Sequence, residues 1–211
     1  MQIDKQAIAY DDAVKFLQQA DPVLGQAIVR IGCCRLDEAA QQGDLFSALS
    51  RAIIHQQIST KAAAAIYKRF LLIYPYQPFP TAQDILDTPD EILRRAGLSR
   101  PKVAYLKDLA QKVVDGLPTL AELDTMDDEA IIQTLTQVKG IGRWTVQMLL
   151  IFRLQRQDVL PVDDLGVRAG IRKIYGLQEL PNRAITASLG EKWQPYRSVA
   201  SWYLWRSLEL P

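Results

Sequence analysis

The sequence predicts an all-α protein. Apolar residues recur at spacings of three and four in residues 13–17, 45–54, 62–72, 103–114 and 131–138. Strand-like alternation is scarce, because residues 159–162 form a short segment interrupted by Pro161. The 211 residues are enough for one large domain or two small ones. We therefore expect a single domain over residues 1–211, made of two packed helical lobes.

Helix boundaries can be placed from side chains that cap helix ends. Gly97, Gly116 and Gly176 are typical of helix ends. The residues before Asp44 are expected to form two helices, and residues 74–80, with three prolines, to bend the chain between helices. The expected N-caps are Ser59, Thr81, Ser99 and Thr88, the last of which is followed by a proline and two acidic residues.

Composition excludes several classes of protein. No apolar run approaches the roughly 18–20 residues of a membrane span, and residues 1–5 lack the pattern of a signal peptide. The two cysteines, Cys33 and Cys34, are adjacent, and His55 is the only histidine, so neither a disulfide framework nor a zinc or iron–sulfur site is expected. A reducing cytoplasmic compartment fits this composition best.

Charge is unevenly distributed along the chain. Residues 1–138 contain 14 Lys and Arg against 18 Asp and Glu, whereas residues 139–211 contain 11 against 6. The basic C-terminal part suggests a surface for a polyanion, with chance scatter as the alternative.

A glycine hairpin is the first candidate site. Gly140 and Gly142 flank Ile141, between helical patterns over residues 130–137 and 143–154. Glycine permits positive φ and close backbone approach, so the second helix is expected to open with unblocked N–H groups that suit a phosphate. Lys139 and Arg143 add cationic donors. The alternative is a plain tight turn.

Two further turns carry polar candidates. Gln56 and Gln57 follow a helix end, where their amides bind either an external partner or the backbone. Arg100 and Lys102 lie in the first turn of a helix, where cations oppose the helix dipole and an external anion would relieve the conflict. The alternative for this second turn is a solvated surface.

Three segments together resemble a known family. Residues 138–145 resemble the hairpin of the helix-hairpin-helix (HhH-GPD) DNA glycosylase superfamily, and residues 144–148 and 160–167 resemble its 3-methyladenine DNA glycosylase II (alkyladenine) type. The similarity extends from about residue 44 to residue 205. It implies the HhH-GPD fold of two helical lobes with the active site in the cleft between them, without the extra N-terminal β domain of larger members.

The resemblance implies a monofunctional DNA glycosylase of base excision repair. Such an enzyme flips alkylated purines, 3-methyladenine or 7-methylguanine, out of double-stranded DNA and hydrolyses the N-glycosidic bond to leave an abasic site. Trp144 occupies the position of the lysine that gives other members lyase activity. The family usually acts as a monomer, and we expect association with the nucleoid. The alternatives are a non-catalytic protein that recognises damaged DNA and a sister glycosylase for deaminated or oxidised bases.

The resemblance also implies roles for individual residues. Counting from Trp144 without gaps places the catalytic aspartate on Asp164, with Asp163 as the alternative, and we expect the other carboxylate of the pair to cap the following helix. Trp144 and Trp205 would stack on the charged base by cation–π contacts. Met148 stands where this branch has an aromatic residue.

The DNA-binding surface follows from the same resemblance. Gln57 takes the place of the wedge residue, which is apolar in one branch, and His55 is expected to be a helix-end residue. The expected DNA-binding residues are Gln56, Gln57, Lys139, Gly140, Gly142, Arg143 and Thr145. Backbone carbonyls near Thr136, Val138 and Ile141 would hold a monovalent Na⁺ or K⁺ ion, and no other cofactor is expected.

Overall fold

The computed structural model describes residues 5–39 and 43–211. Residues 1–4, on which the expectation of no signal peptide partly rests, lie outside this part. Every regular element in the described ranges is helical, which confirms the all-α prediction. The helices are α1 (Lys5–Ala20), α2 (Pro22–Ile31), α3 (Leu45–His55), α4 (Thr60–Leu71), α5 (Ala82–Asp87), α6 (Asp90–Arg95), α7 (Arg100–Val114), α8 (Leu120–Asp124), α9 (Asp128–Leu135), α10 (Arg143–Phe152), α11 (Leu165–Tyr175), α12 (Arg183–Gly190) and α13 (Arg197–Ser207).

The helices form two compact units. Of the described residues, 5–39 and 147–211 make up one, called here the terminal unit, and 43–146 make up the other, the central unit. The two helices expected before Asp44 are α1 and α2 of the terminal unit. Helix α10 begins in the central unit and ends in the terminal unit.

The terminal unit is built around α13. Residues 198–204 of this helix are all buried, and it packs against α2 and α11. The backbones of α11 and α13 approach so closely that a Cβ atom on Gly170 would lie 2.4 Å from the carbonyl oxygen of Leu204. A side chain at position 170 would therefore collide with backbone, which explains a glycine in the middle of a helix.

A buried carboxylate, Asp21, connects the start of α2 to the end of α11 and to the segment before α13. Asp21 caps α2 and accepts hydrogen bonds from the Trp193 indole N–H (2.7 Å) and the Tyr175 hydroxyl. Lys192 lies 3.2 Å away. Burial alone raises the pKa of Asp21, but the hydrogen bonds from Tyr175 and Trp193 help to outweigh it and hold the pKa below its usual range. This anion is thus fully compensated within the core.

The central unit packs α3 and α5 against α7, whose apolar face, including Val103, Leu106 and Leu109, is fully buried. Helix α9 and the hairpin that follows it contribute Leu135, Val138 and Ile141 to buried positions. The proline-rich residues 74–80 connect α4 to α5 within this unit, as expected from the sequence.

Most capping predictions are confirmed. Ser59, Thr81 and Ser99 each cap a helix N-terminus, and Gly176 ends α11 in the left-handed conformation. The prediction for Thr88 is wrong. Its hydroxyl contacts the main-chain carbonyl oxygen of Asp84 at 2.6 Å, so Thr88 ends α5, and the N-cap position of α6 is Pro89. The Thr88 hydroxyl thus contacts a carbonyl oxygen of the preceding helix and does not cap the following one.

Candidate functional site

Asp164 is held in place by its own helix and by a distant tryptophan. It caps α11, and its Oδ1 atom accepts hydrogen bonds from the Val167 amide (2.7 Å) and from the Trp205 indole N–H (2.7 Å). The residue is only 8% exposed. A carboxylate oxygen is therefore fixed against an aromatic ring in a buried setting, which is the arrangement that electrostatic catalysis requires.

The neighbouring Asp163 has a different environment. It is exposed and forms a 2.9 Å ion pair with Arg183 in the first turn of α12. We expected Asp164 to be the functional carboxylate and the other aspartate of the pair to cap the helix, and the expectation about the cap is wrong. Asp164 is itself the cap, and the oxygen that accepts from the helix N-terminus also accepts from Trp205.

Gly166 is a site residue that the sequence did not reveal. A Cβ atom at this position would lie 2.7 Å from Trp205 Cδ1, 3.0 Å from Trp205 Nε1 and 3.1 Å from Asp164 Oδ1. All three distances are shorter than ordinary van der Waals contacts. Only glycine allows the aspartate and the indole to meet here. The one available signal was a glycine in the first turn of a helix, directly after the aspartate pair.

Trp205 also stacks on Phe152, with ring centroids 5.5 Å apart and an interplanar angle of 25°. A cavity of about 830 Å³ opens beside these two rings, toward Arg30, Trp202 and Arg206, and Asp164 is not among the residues that line it. Phe152 was missed, although its position could have indicated it. Trp144, Met148 and Phe152 follow one another at intervals of four residues along α10, which places them on one helix face.

The loop before Asp164 is anchored from α10. The buried Gln147 side chain donates a 3.3 Å hydrogen bond to the carbonyl oxygen of Leu160. Trp144, one turn earlier in α10, is 47% exposed, and Met148 is half-buried. The Trp144 indole is thus half exposed, while the neighbouring turns of α10 are buried.

The hairpin of the central unit depends on Gly140. Its φ of +81° is in the left-handed region, and a Cβ atom would lie 2.3 Å from the Tyr105 ring. Gly142 differs, since its φ is not positive and no atom of the described residues lies within 4 Å of the place that a Cβ atom would take. Contacts among these residues therefore do not explain the second glycine, whereas close approach of an external backbone would explain it.

Part of the hairpin is already neutralised by acidic side chains. Asp108 accepts the Lys139 backbone N–H (2.9 Å) and lies 3.3 Å from the Lys139 ammonium group. Glu129 receives two hydrogen bonds from Arg143 (2.9 and 2.7 Å), which lower the pKa of the Glu129 carboxyl. The Lys139 amide, which precedes the hairpin, is therefore already bonded within the protein. The amides of Gly140 and Gly142 have no acceptor among the residues that the structure describes.

The remaining predicted hairpin residues are less accessible. The Thr145 residue is only 9% exposed in the first turn of α10, which leaves little side chain for a partner to contact. The Val138 carbonyl oxygen accepts the Ile141 N–H at 3.0 Å. No donor within residues 5–39 and 43–211 reaches the carbonyl oxygens of Thr136 and Ile141. The carbonyl oxygens of Thr136 and Ile141 are therefore available to an external partner, whereas that of Val138 is shared with the Ile141 amide.

The turn after α3 is braced from two directions. Gln56 Nε2 donates a 2.7 Å hydrogen bond to the Gly140 carbonyl oxygen, so this amide, predicted to contact DNA, is used within the protein. Lys102 Nζ donates to the carbonyl oxygens of Ile54 (2.7 Å) and Gln56 (2.8 Å). Burial lowers the pKa of Lys102. The expectation that this cation attracts an external anion is therefore wrong, because helix carbonyls already satisfy it.

Gln57 and His55 lie on either side of this braced residue. Gln57 is exposed and has a φ of +56°, a backbone conformation that residues other than glycine seldom adopt. His55 is the last residue of α3, as expected. Its Nε2 atom is buried and has no hydrogen-bond partner among the described residues. Burial first, and then the charges of Arg51 and Lys102, lower the pKa of His55.

Neither a metal-binding cluster nor a membrane span is found in the part of the chain that the structure describes. No group of three or more His, Cys, Asp or Glu side chains there could hold a metal ion, and none of the described helices has the length and hydropathy of a membrane span. Cys33 and Cys34 are both free thiols.

Two helices joined by a glycine hairpin, α9 and α10, are the arrangement for which the helix-hairpin-helix class is named. The family described as the HhH-GPD superfamily of base excision DNA repair proteins matches residues 50–195. The chain belongs to this superfamily.

Individual relatives agree with this assignment. DNA-3-methyladenine glycosylase 1 of Schizosaccharomyces pombe is 41% identical over 181 residues, which cover 85% of this chain and 79% of the relative. A solved structure of the S. pombe 3-methyladenine DNA glycosylase Mag1 in complex with abasic DNA superposes with a TM-score of 0.86 at 38% identity, covering 94% of this chain and 97% of that one. A DNA-3-methyladenine glycosidase from Bacillus halodurans gives 0.82 at 34% identity, with coverages of 92% and 88%.

Proposed function

We propose that this protein is a monofunctional DNA glycosylase that removes N-alkylated purines, such as 3-methyladenine and 7-methylguanine, from double-stranded DNA. The observation that carries the proposal is the buried Asp164 carboxylate held against the Trp205 indole. The relatives named as DNA-3-methyladenine glycosylases support the same reaction.

In the proposed reaction, Asp164 stabilises positive charge on the sugar. The bond between C1′ and the base nitrogen breaks, and its electron pair leaves with the base. A water oxygen then bonds to C1′ and releases a proton. A carboxylate fixed opposite C1′ lowers the energy of the oxocarbenium-like transition state, because it is oriented before the charge develops. Val167 and Trp205 provide that orientation through their N–H groups.

The substrate class follows from the chemistry of the leaving group. A purine alkylated at N3 or N7 is cationic within DNA and becomes neutral when it leaves, so a dedicated general acid is dispensable. We assign cation–π stacking to Trp205 and Trp144, at about 0.5–2 kcal/mol per contact, and adaptable packing to Met148. Trp144 cannot form a Schiff base, which fits hydrolysis without strand cleavage.

DNA binding is assigned to the hairpin and to the turn after α3. The unpartnered amides of Gly140 and Gly142 suit a phosphate, and the space at Gly142 suits a close backbone. Carbonyl oxygens of Thr136, Val138 and Ile141 would hold a monovalent cation that adds positive charge there. Gln57 would enter the space left by the flipped nucleotide. We further propose that the protein acts as a monomer on chromosomal DNA in the cytoplasm.

Base release from methylated duplex DNA tests the proposal, with Asp164→Asn compared with Asp163→Asn. Asparagine still caps a helix, so the first variant removes the charge and keeps the fold. Wild type and Asp163→Asn should release 3-methyladenine or 7-methylguanine, with strand breaks only after alkali. Asp164→Asn should be at least about 100-fold slower.

Other outcomes would replace the proposal. Undiminished release by Asp164→Asn would remove the catalytic role of this carboxylate. Damage-dependent binding by wild type without any free base would indicate a protein that only recognises damaged DNA. Release of hypoxanthine or oxidised bases alone would indicate a sister glycosylase.

A further inference from the structure

Lys102 satisfies the exposed end of another helix. The last carbonyl groups of a helix lack intrahelical partners, and a cation near them is favourable. The Lys102 ammonium group, at the start of α7, donates to the carbonyl oxygens of Ile54 (2.7 Å) in the last turn of α3 and Gln56 (2.8 Å) just beyond it. These are charge-assisted bonds, which are stronger than neutral ones. One side chain therefore fixes where α3 ends.

The same turn is tied to the hairpin. The Gln56 side chain donates to the Gly140 carbonyl oxygen at 2.7 Å. Gly140 is itself fixed, because its positive φ and its contact with Tyr105 allow no other residue. Lys102 and Gln56 thus connect the turn to α7 on one side and to the hairpin on the other by three hydrogen bonds.

Gln57 directly follows Gln56, which two of these three hydrogen bonds hold in place. It is exposed, and its φ of +56° is a left-handed conformation that residues other than glycine rarely adopt. Such a conformation persists only when its surroundings determine it. The hydrogen bonds of Lys102 and Gln56 involve the residue immediately before it.

We propose that Lys102 is a positioning residue that holds Gln57 in the conformation needed to enter the duplex, without itself contacting DNA. The proposal rests on the proposed function, since it assigns Gln57 to base flipping. It departs from the simpler interpretation of Lys102 as a phosphate-binding cation, because both carbonyl contacts are made within the protein.

The test compares two substrates in single-turnover base release. In one duplex the alkylated purine is paired, and in the other it lies opposite an abasic site, so no pair has to be broken. Lys102→Met should slow release from the paired substrate roughly tenfold and change the unopposed substrate less than about twofold. Lys112→Met removes the same charge from the last turn of α7 and should leave both rates unchanged.

Two further variants separate positioning from general damage to the fold. Lys102→Arg keeps a cationic donor and should recover most of the rate on the paired substrate. In a Gln57→Ala background, Lys102→Met should add little, because both act through one side chain. If Lys102→Met unfolds the protein, Gln56→Ala removes the tie to Gly140 instead and should give the same substrate-dependent loss.

The proposal is overturned by equal losses on both substrates, by losses that multiply in the Gln57→Ala background, or by a Lys112→Met variant that behaves like Lys102→Met. Failure of the proposed function looks different, since wild type would then release no base from either duplex. In that case 2-aminopurine placed opposite the lesion still reports insertion. A fluorescence change on binding that is equal in wild type and Lys102→Met then overturns the positioning role.

Discussion

Replacing Gly166 with alanine is expected to separate damage to the site from damage to the fold. The new Cβ atom would lie 2.7 Å from Trp205 Cδ1 and 3.0 Å from its Nε1. Carbon atoms normally approach to about 3.5–4.0 Å, so the indole has to move by roughly 1 Å. That shift takes the 2.7 Å hydrogen bond to Asp164 beyond the usual limit of about 3.2 Å.

The expected size of the effect follows from that bond. A hydrogen bond to a charged group contributes about 1.5–3 kcal/mol, and each 1.4 kcal/mol in the barrier is about tenfold in rate. If Asp164 needs this bond to face the sugar, Gly166→Ala should slow base release by about 10- to 100-fold. Stability should change by less than about 1 kcal/mol, because alanine favours the helix by roughly 0.5–1 kcal/mol and offsets the strain.

The assay is single-turnover base release from methylated duplex, together with denaturant unfolding of the same samples. Gly176→Ala serves as the control at the end of the same helix. Its φ of +66° strains any other residue, but a Cβ atom there would meet nothing within 4 Å, so stability should fall by about 1–2 kcal/mol while folded molecules keep their rate. A Gly166→Ala protein with an unchanged rate would refute the argument, as would a rate loss that only tracks unfolding.

Three further predictions concern stability and DNA affinity. Asp21→Asn should lower the free energy of unfolding by about 3 kcal/mol. Because the pKa of Asp21 is depressed in the folded protein, the extra stability of the wild type is present above about pH 4. In unfolding titrations it should shrink as the pH falls through the folded pKa. Gly142→Ala should fold normally and bind DNA more weakly, whereas Gly140→Ala should lose stability, and the opposite order in melting and binding assays would contradict the assigned roles. Asp108→Asn keeps an acceptor for the Lys139 backbone amide but removes the ion pair with the Lys139 ammonium group. The affinity for DNA should rise, and its salt dependence should steepen by about one counterion. An unchanged affinity would show that Lys139 faces no phosphate.

Features set by neighbouring residues were predictable from the sequence. The end of α11 at Gly176, the N-caps at Ser59, Thr81 and Ser99, and the hairpin between α9 and α10 all follow from local hydrogen bonding and from the period of the apolar residues. The prediction that Thr88 caps α6 was wrong for an equally local reason, because its hydroxyl contacts the carbonyl oxygen of Asp84, four residues earlier. The proposed roles of the site residues remain predictions.

Pairings between distant residues could not be predicted. Lys139 and Arg143 look like free cations in the sequence, but Asp108 and Glu129 bind them from other helices. Lys102 looks like a surface cation and instead holds the end of α3. A sequence pattern shows that a charge is present, whereas only the folded chain shows which group lies 3 Å from it.

Asp163 and Asp164 show most clearly which features depend on neighbouring residues and which depend on the tertiary structure. The sequence by itself determined a helical protein with two adjacent carboxylates before an apolar helix, because helix periodicity and capping depend on residues within a few positions of one another. It did not determine which carboxylate is buried or what it touches. Only the tertiary structure decided that Asp164 accepts from Trp205, 41 residues away, and that Asp163 faces Arg183. The packing of α11 on α13, which glycine at positions 166 and 170 permits, is the physical reason.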